Sequence, residues 1–268
     1  MALASSPALA TMRSTFISLA ALCSLLPSVL GHGQVRNFIA ASGTYPAADA
    51  YAAALPNSPI RKLNTYGPAA DFTSATITCG EGGNTPVTAL ATVNAGETVT
   101  FDWGSWGSSH SGPVRYDIHG QMSQWLRQFQ GRQRQYLEID QDVYHPARTA
   151  MPWGENILHN GGKYSVVIPD GLANGEYIIR HEILGLHVAG NLMGAQFYPN
   201  CVQVKVQNGG SKTLPAGLAL PGAYKPTDPG ILTQLWWFSP SNATYVAPGG
   251  KVTFPGGTGD WGAWKYGS

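Results

Sequence analysis

The sequence predicts an all-β chain, an antiparallel immunoglobulin-like β-sandwich with long loops and few short helices. Three observations carry that expectation. Gly and Pro are frequent, 33 and 19 of 268 residues, and break the chain into short pieces. Between them lie runs of strand character at 87–93, 97–103, 136–140, 164–168, 177–183 and 202–206. Turns such as Asn94-Ala95-Gly96 and Pro169-Asp170-Gly171 separate these runs, there are few convincing helical stretches, and no internal repeat is visible.

Taken in order, residues 1–31 read as a signal peptide. A small, polar start is followed by Arg13 and an apolar run at 16–30 that is too short and wrongly flanked for a membrane span. Met12 is an alternative start. Val29-Leu30-Gly31 suits signal peptidase, so the secreted chain is expected to begin at His32, with one sandwich domain over 32–238. A terminal His offers its free α-amine and its ring Nδ1 to one metal, a chelate that an internal His cannot form.

Removing the leader takes Cys23 with it and leaves Cys79 and Cys201, an even pair that implies one disulfide in a secreted chain. Closing so long a loop is worth about 4 kcal/mol in the chain-entropy view. Charge narrows the partner. With 16 basic and 15 acidic residues, and only 12% charged, the chain has neither a basic field for nucleic acid nor a polybasic membrane patch. A neutral partner is expected, met by some of the 8 Trp and 12 Tyr.

Residues 33–78 show little periodicity and carry Tyr45, Tyr51 and Tyr66 in a long loop of the kind that is usually functional. WGSWGSSHSGPV at 103–114 sets His110 in a Gly/Ser loop just after a strand, free to turn outward. His119, His145 and His159 have no defensible partner spacing.

The stretch 177–206 reads as two strands joined by a loop. Gln196 and Tyr198, two apart, share a face, and Pro199 is expected to interrupt the ladder behind them. Val202, Val204 and Val206 then form an apolar face opposite Cys201, Gln203 and Lys205. His181-Glu182 is no zinc-protease helix, which needs its second His four residues on. Position 185 is Gly, and His187 lies roughly 20 Å away along a strand. Past 206 the chain is Gly- and Pro-rich. Asn242 opens a glycosylation sequon, and 239–268 reads as a tail.

Together these pieces resemble the fungal lytic polysaccharide monooxygenases active on cellulose, copper enzymes once classed as glycoside hydrolases. The matching features are the leader ending before HGQV, the SHSGPV loop, RHEILGLH followed by GAQFYPNC, the PGAYKPTDPGI segment and the late Cys pair. The resemblance implies that His32, through amine and ring, and His110, through its ring, hold one copper, with Tyr198 as axial oxygen neighbour. It implies that His187 and Gln196 hydrogen-bond an oxygen species near the metal. Gly185 stands where the family motif has Ala, and Leu192-Met193 varies the next loop, so the conformation there is open.

The activity so implied is oxidation of β-1,4-glucan at C1 and/or C4, with an external electron donor and O2 or H2O2, by a secreted monomer. Three nitrogens suit Cu(II). Hydrolysis is disfavoured because no acid and base pair can be assigned. Sugar rings are expected to stack on Tyr224, then on Tyr66 and Tyr45. The rival reading is a secreted copper- or carbohydrate-binding protein of the same fold without turnover.

Overall fold

The computed structural model describes residues 1, 32–69, 71–120, 134–148, 150–239, 241, 244–249 and 259–260. The expected leader, Asn242 and most of the expected tail lie outside the described residues. In chain order the elements are β1 (Asn37–Ala40), β2 (Gly43–Pro46), the short helix α1 (Thr76–Cys79), β3 (Ala91–Asn94), β4 (Thr98–Asp102) and β5 (Val114–Gly120). They continue with β6 (Arg134–Asp142), β7 (Lys163–Val167), β8 (Gly175–Gly185), β9 (Gln196–Gln207), β10 (Leu218–Leu220) and β11 (Gly259–Asp260). Short 3-10 segments occupy Gly154–His159 and Leu235–Trp237.

The strands form two sheets, one in the order β2-β1-β4-β7 and the other β10-β6-β5-β8-β9-β3, with β11 beside β6. Pairing is antiparallel except for β3 on β9 and β11 on β6, which are parallel. The sandwich core follows from period-two alternation. Val99 and Phe101 of β4 and Tyr164 and Val166 of β7 meet Tyr116, Ile118, Ile179, Ile183, Val202, Val204 and Val206 of the second sheet. Each such side chain contributes about 1.5–3 kcal/mol by leaving water. His181 belongs to this core, stacked on Tyr116 at 4.3 Å and accepting a 3.1 Å hydrogen bond at Nδ1 from Trp103 Nε1. It is therefore unavailable as a surface ligand.

The outer face of the second sheet is buried rather than wet. Loops from 69–80 and 218–247 cover it with a second apolar cluster that includes Phe72, Leu184, Phe197, Tyr224 and Tyr245. Charges on that face are consequently paired. Arg115 holds Glu138 through two bonds of 2.9 and 2.7 Å, and Arg180 holds Asp117 at 2.8 Å as well as Glu182. Arg180 also donates to the carbonyls of Ile77 and Thr78, and the Cys79–Cys201 disulfide, Cα–Cα 5.3 Å, ties the same helix to β9.

Three sequence expectations need correction. Pro199 does not interrupt β9, which pairs with β8 without a break from Gly175↔Val206 to Gly185↔Gln196. Phe197 O, Cys201 O and Gln203 N all bond to the 59–69 segment, so odd-numbered residues turn their polar groups away from β8. The missing N–H of Pro199 therefore costs the ladder nothing. The expected strand at 87–93 begins only at Ala91, since the Gln203 amide occupies both Val87 N and Val87 O. The packed unit also extends beyond 238: Tyr245 is buried and donates to Gly230 O at 2.7 Å, and Pro248 O accepts from Arg115. No helix among the described residues is long and apolar enough to cross a membrane.

Candidate metal centre

One end of the sandwich gathers side chains from three segments. The β8–β9 hairpin supplies two of them at once, since Ile183 pairs with Tyr198 and Gly185 with Gln196, while His187 lies two residues past the strand end. The loop before β5 supplies His110. It is laced to that hairpin by Leu186 N to Ser111 O at 2.9 Å and Leu184 N to Pro113 O at 3.0 Å. Gly112 permits the approach, because a Cβ there would lie 1.8 Å from the Leu184 carbonyl oxygen. The third segment starts at His32. Gly33 N donates to Tyr66 O at 3.1 Å and Val35 N to Asn200 Oδ1 at 3.0 Å, which fixes the chain's course over the sheet end.

The rings of His32 and His110 stand 5.1 Å apart at 74°, and each is 5.9 Å from the ring of Tyr198. His187 is 4.0 Å from His110, centroid to centroid. Tyr198 donates its hydroxyl to Gln196 Oε1 at 2.7 Å, leaving the amide nitrogen as a donor. Trp106 closes the inner side, 5.0 Å from Tyr198 and 5.9 Å from His110.

The electrostatics favour neutral imidazoles. Loss of hydration is the main cause that holds His110 down to about 4, with His187 and His32 adding to it and a contact with Gln196 opposing. His187 is lowered by the same desolvation and by His32. Burial raises the Tyr198 phenol well above its ordinary value, so it stays protonated.

These residues fit a metal. His110 Nδ1 is engaged by Ser109 Oγ at 2.8 Å, whereas its buried Nε2 has no hydrogen bond of ordinary geometry. A buried nitrogen without a partner is costly unless something binds it. Among the described residues no three His, Cys, Asp or Glu side chains converge as a ligand set. A third strong donor would thus have to be the amine that His32 acquires when a peptide bond before it is cut. Nitrogen ligands of this kind suit copper. Gly185 lies beneath both rings, and a Cβ there would meet His187 Nδ1 at 3.3 Å and His110 at 3.5 Å. Its backbone is not left-handed, so the absence of the Ala Cβ eases the packing of the two rings rather than meeting a backbone need.

The expected sugar-stacking residues fare differently. Tyr224 is 2% exposed and cannot meet a polymer. Its ring stacks on Phe197 and its hydroxyl accepts from Arg115 at 2.6 Å, because the covered charge cluster needs a polar partner there. Tyr45 is partly buried in the sandwich core, near Phe38. Tyr66 is half-buried near His32, its hydroxyl bonded to Asp49 and its ring 5.2 Å from exposed Tyr51.

Sequence reasoning missed Ser109, Trp106 and Glu155. Ser109 and Trp106 lie in the motif loop and could have been weighed. Glu155 carries no local signal: it is buried beneath the His110 loop, its N–H bonded to Gly112 O at 3.2 Å.

Fold and site together define an immunoglobulin-like sandwich with an open, histidine-bearing end. Residues 32–245 match the family model described as Auxiliary Activity family 9, formerly GH61. The chain belongs to that family. It is 36% identical over 254 residues to "AA9 family lytic polysaccharide monooxygenase A" of Aspergillus fumigatus, covering 90% of this chain but only 66% of that longer relative. It is 37% identical over 239 residues to "AA9 family lytic polysaccharide monooxygenase F" of Botryotinia fuckeliana, covering 84% and 93% of the two chains. Among solved structures, the extended catalytic domain of H. jecorina LPMO9A superposes with a TM-score of 0.74 at 27% identity, over 88% of this chain and 95% of that one.

Proposed function

We propose that the chain is a secreted, copper-dependent polysaccharide monooxygenase that breaks β-1,4-glucan chains, cellulose foremost, by oxidation at C1 and/or C4. The observation that carries this reading is the His32–His110 pair, 5.1 Å apart beside Tyr198 and Gln196, with His110 Nε2 buried and without a hydrogen bond of ordinary geometry. Family membership supports it. In this reading residues 1–31 are removed as a leader, the secreted chain starts at His32 and acts as a monomer, and Asn242 is glycosylated.

His32, through amine and ring, and His110, through Nε2, would hold copper, with Tyr198 beside both rings. Copper held there would supply one-electron exchange with an outside donor and activation of O2 or H2O2 toward a C–H bond. The remaining work falls to the chain. Ser109 fixes the His110 ring, so that Nε2 rather than Nδ1 is presented. Tyr198, kept as a phenol by burial, donates to Gln196 and orients its amide toward donation. His187 and Gln196 would then hydrogen-bond the oxidant, and the imidazole of His187 could give or take its proton. The buried carboxylates Asp117, Glu138 and Glu182 are bound up with Arg115 and Arg180, so none is free to serve as a glycosidase acid or base.

The test is direct. The secreted chain, its N-terminus verified, is loaded with copper and given ascorbate and cellulose, and products are read by mass spectrometry. Oxidised oligosaccharides are expected. Their absence from a correctly processed, copper-loaded sample would overturn the reading in favour of a copper- or sugar-binding protein without turnover.

A further inference from the structure

The loop that carries His110 is held at both ends by one short stretch of chain. At its start Trp103 N donates to Gly162 O at 2.7 Å, and near its end Gly112 O accepts from Glu155 N at 3.2 Å. That stretch, 153–162, is itself fixed. Asn156 Oδ1 caps it by accepting from Trp153 N at 2.8 Å, Gly162 N donates to Leu158 O at 2.9 Å, and Leu158 is fully buried in the sandwich core. Gly154 lies so close to the end of β6 that a Cβ there would stand 2.1 Å from Asp142 O. The His110 loop therefore takes its place from this brace.

Into the brace the sequence puts a carboxyl. Glu155 is wholly buried, and Asn156 Nδ2 donates to its Oε1 at 2.8 Å. The Ser111 hydroxyl and the Gly112 N–H, which follow His110 directly, are turned to the same carboxyl in hydrogen bonds of looser geometry. Neighbouring Asp142 is paired with Arg148 at 3.0 Å and His145 at 2.6 Å. Among the described residues Glu155 has no Arg or Lys in ion-pair reach, only the ring of His159 at 3.6 Å, where burial disfavours a charge. An acid buried in this way costs stability that an apolar side chain of similar size would not. What the acid holds in return is the pair of residues beside His110.

We propose that Glu155 is a positioning residue for the copper centre: from beneath the loop it fixes Ser111 and Gly112, and through them the direction in which His110 presents Nε2. Ser109 sets the rotation of the ring. Glu155 sets where the backbone carries it. The inference rests on the copper reading above for the metal, and on the brace alone for the placement of His110.

The experiment compares the secreted chain with three variants at pH 6, where a carboxyl pushed up to about 8 keeps its proton. Glu155→Gln mimics the protonated acid, Glu155→Leu keeps its volume without its hydrogen bonds, and Ser111→Ala removes the partner on the loop side. Copper affinity is measured by calorimetry, the Cu(II) site by electron paramagnetic resonance, and the His110 ring by NMR of the copper-free chain. Glu155→Leu is expected to weaken copper binding about tenfold, to change the Cu(II) spectrum and to shift the His110 ring signals. Ser111→Ala should do the same by less, and Glu155→Gln should restore wild-type behaviour. A lower melting temperature in Glu155→Leu with the Cu(II) spectrum and His110 signals unchanged would overturn the proposal and leave Glu155 a packing residue. Should Glu155→Leu fail to fold, Ser111→Ala decides, and unmoved His110 signals there would overturn it equally. A wild type that binds no copper, but whose His110 signals move in Glu155→Leu and return in Glu155→Gln, would uphold the positioning role and sink the monooxygenase reading.

Discussion

Glu155 sits under the loop that carries His110, and burial pushes its carboxyl up to about 8, against hydrogen bonds from Gly112, Ser111 and Asn156 that lower it. The folded chain therefore binds this proton more tightly than the unfolded chain. Stability from this group is lost as pH rises from the ordinary glutamate range toward 8. Glu155→Gln is expected to match wild type in urea unfolding at pH 4.5 and to exceed it by roughly 1–3 kcal/mol at pH 8. Parallel pH profiles would show that the carboxyl is ionised inside the fold. At the candidate site, Gln196→Ala should leave copper affinity within a factor of two while lowering cellulose oxidation at least tenfold, about 1.4 kcal/mol. An equal loss of both would mean that the amide acts by holding the metal site together.

At the scale of elements, the site depends on how closely the His110 loop and β8 approach. Gly112→Ala places a methyl group into the Leu184 carbonyl. It is expected to cost roughly 1–3 kcal/mol in thermal or urea unfolding, and to weaken copper binding measured by calorimetry more than a surface change such as Lys225→Ala does. The disulfide acts on a larger loop. Cys79 and Cys201 are 122 residues apart, and replacing both by Ser should cost about 2–5 kcal/mol, seen as a lower urea midpoint; an unchanged midpoint would mean that the Arg180 contacts to Ile77 and Thr78 suffice. Strand β5 shows why some elements escaped the sequence. Its alternation Val114, Arg115, Tyr116, Asp117, Ile118 is regular, but half of it is ionic and was not read as a strand. It is buried on both faces because Arg180, Glu138 and covering loops neutralise it. Pro199 misled for a related reason, since the cost of a missing N–H depends on which side of the strand it faces.

For the whole molecule, the proposed free end at His32 is the decisive variable. A chain with one extra residue before His32 should lose tight copper binding and cellulose oxidation while keeping its adsorption to cellulose, measured side by side with the processed form. Binding should also weaken as pH falls below about 8, because a free α-amine, with reference pKa about 7.7–8.0, must give up its proton to bind. His110, held down to about 4, adds competition only in strong acid.

The resemblance in motif pointed to His32, His110 and Tyr198, with His187 and Gln196 beside them, and the β class and the disulfide partners were legible from composition and parity. What covers the second sheet was not. Whether Tyr224 faces a polymer or an arginine, and whether residues 244–248 trail off or pack, depend on which distant segments lie on one another. Burial is a property of the neighbour as much as of the residue. Only the folded chain supplies the neighbour.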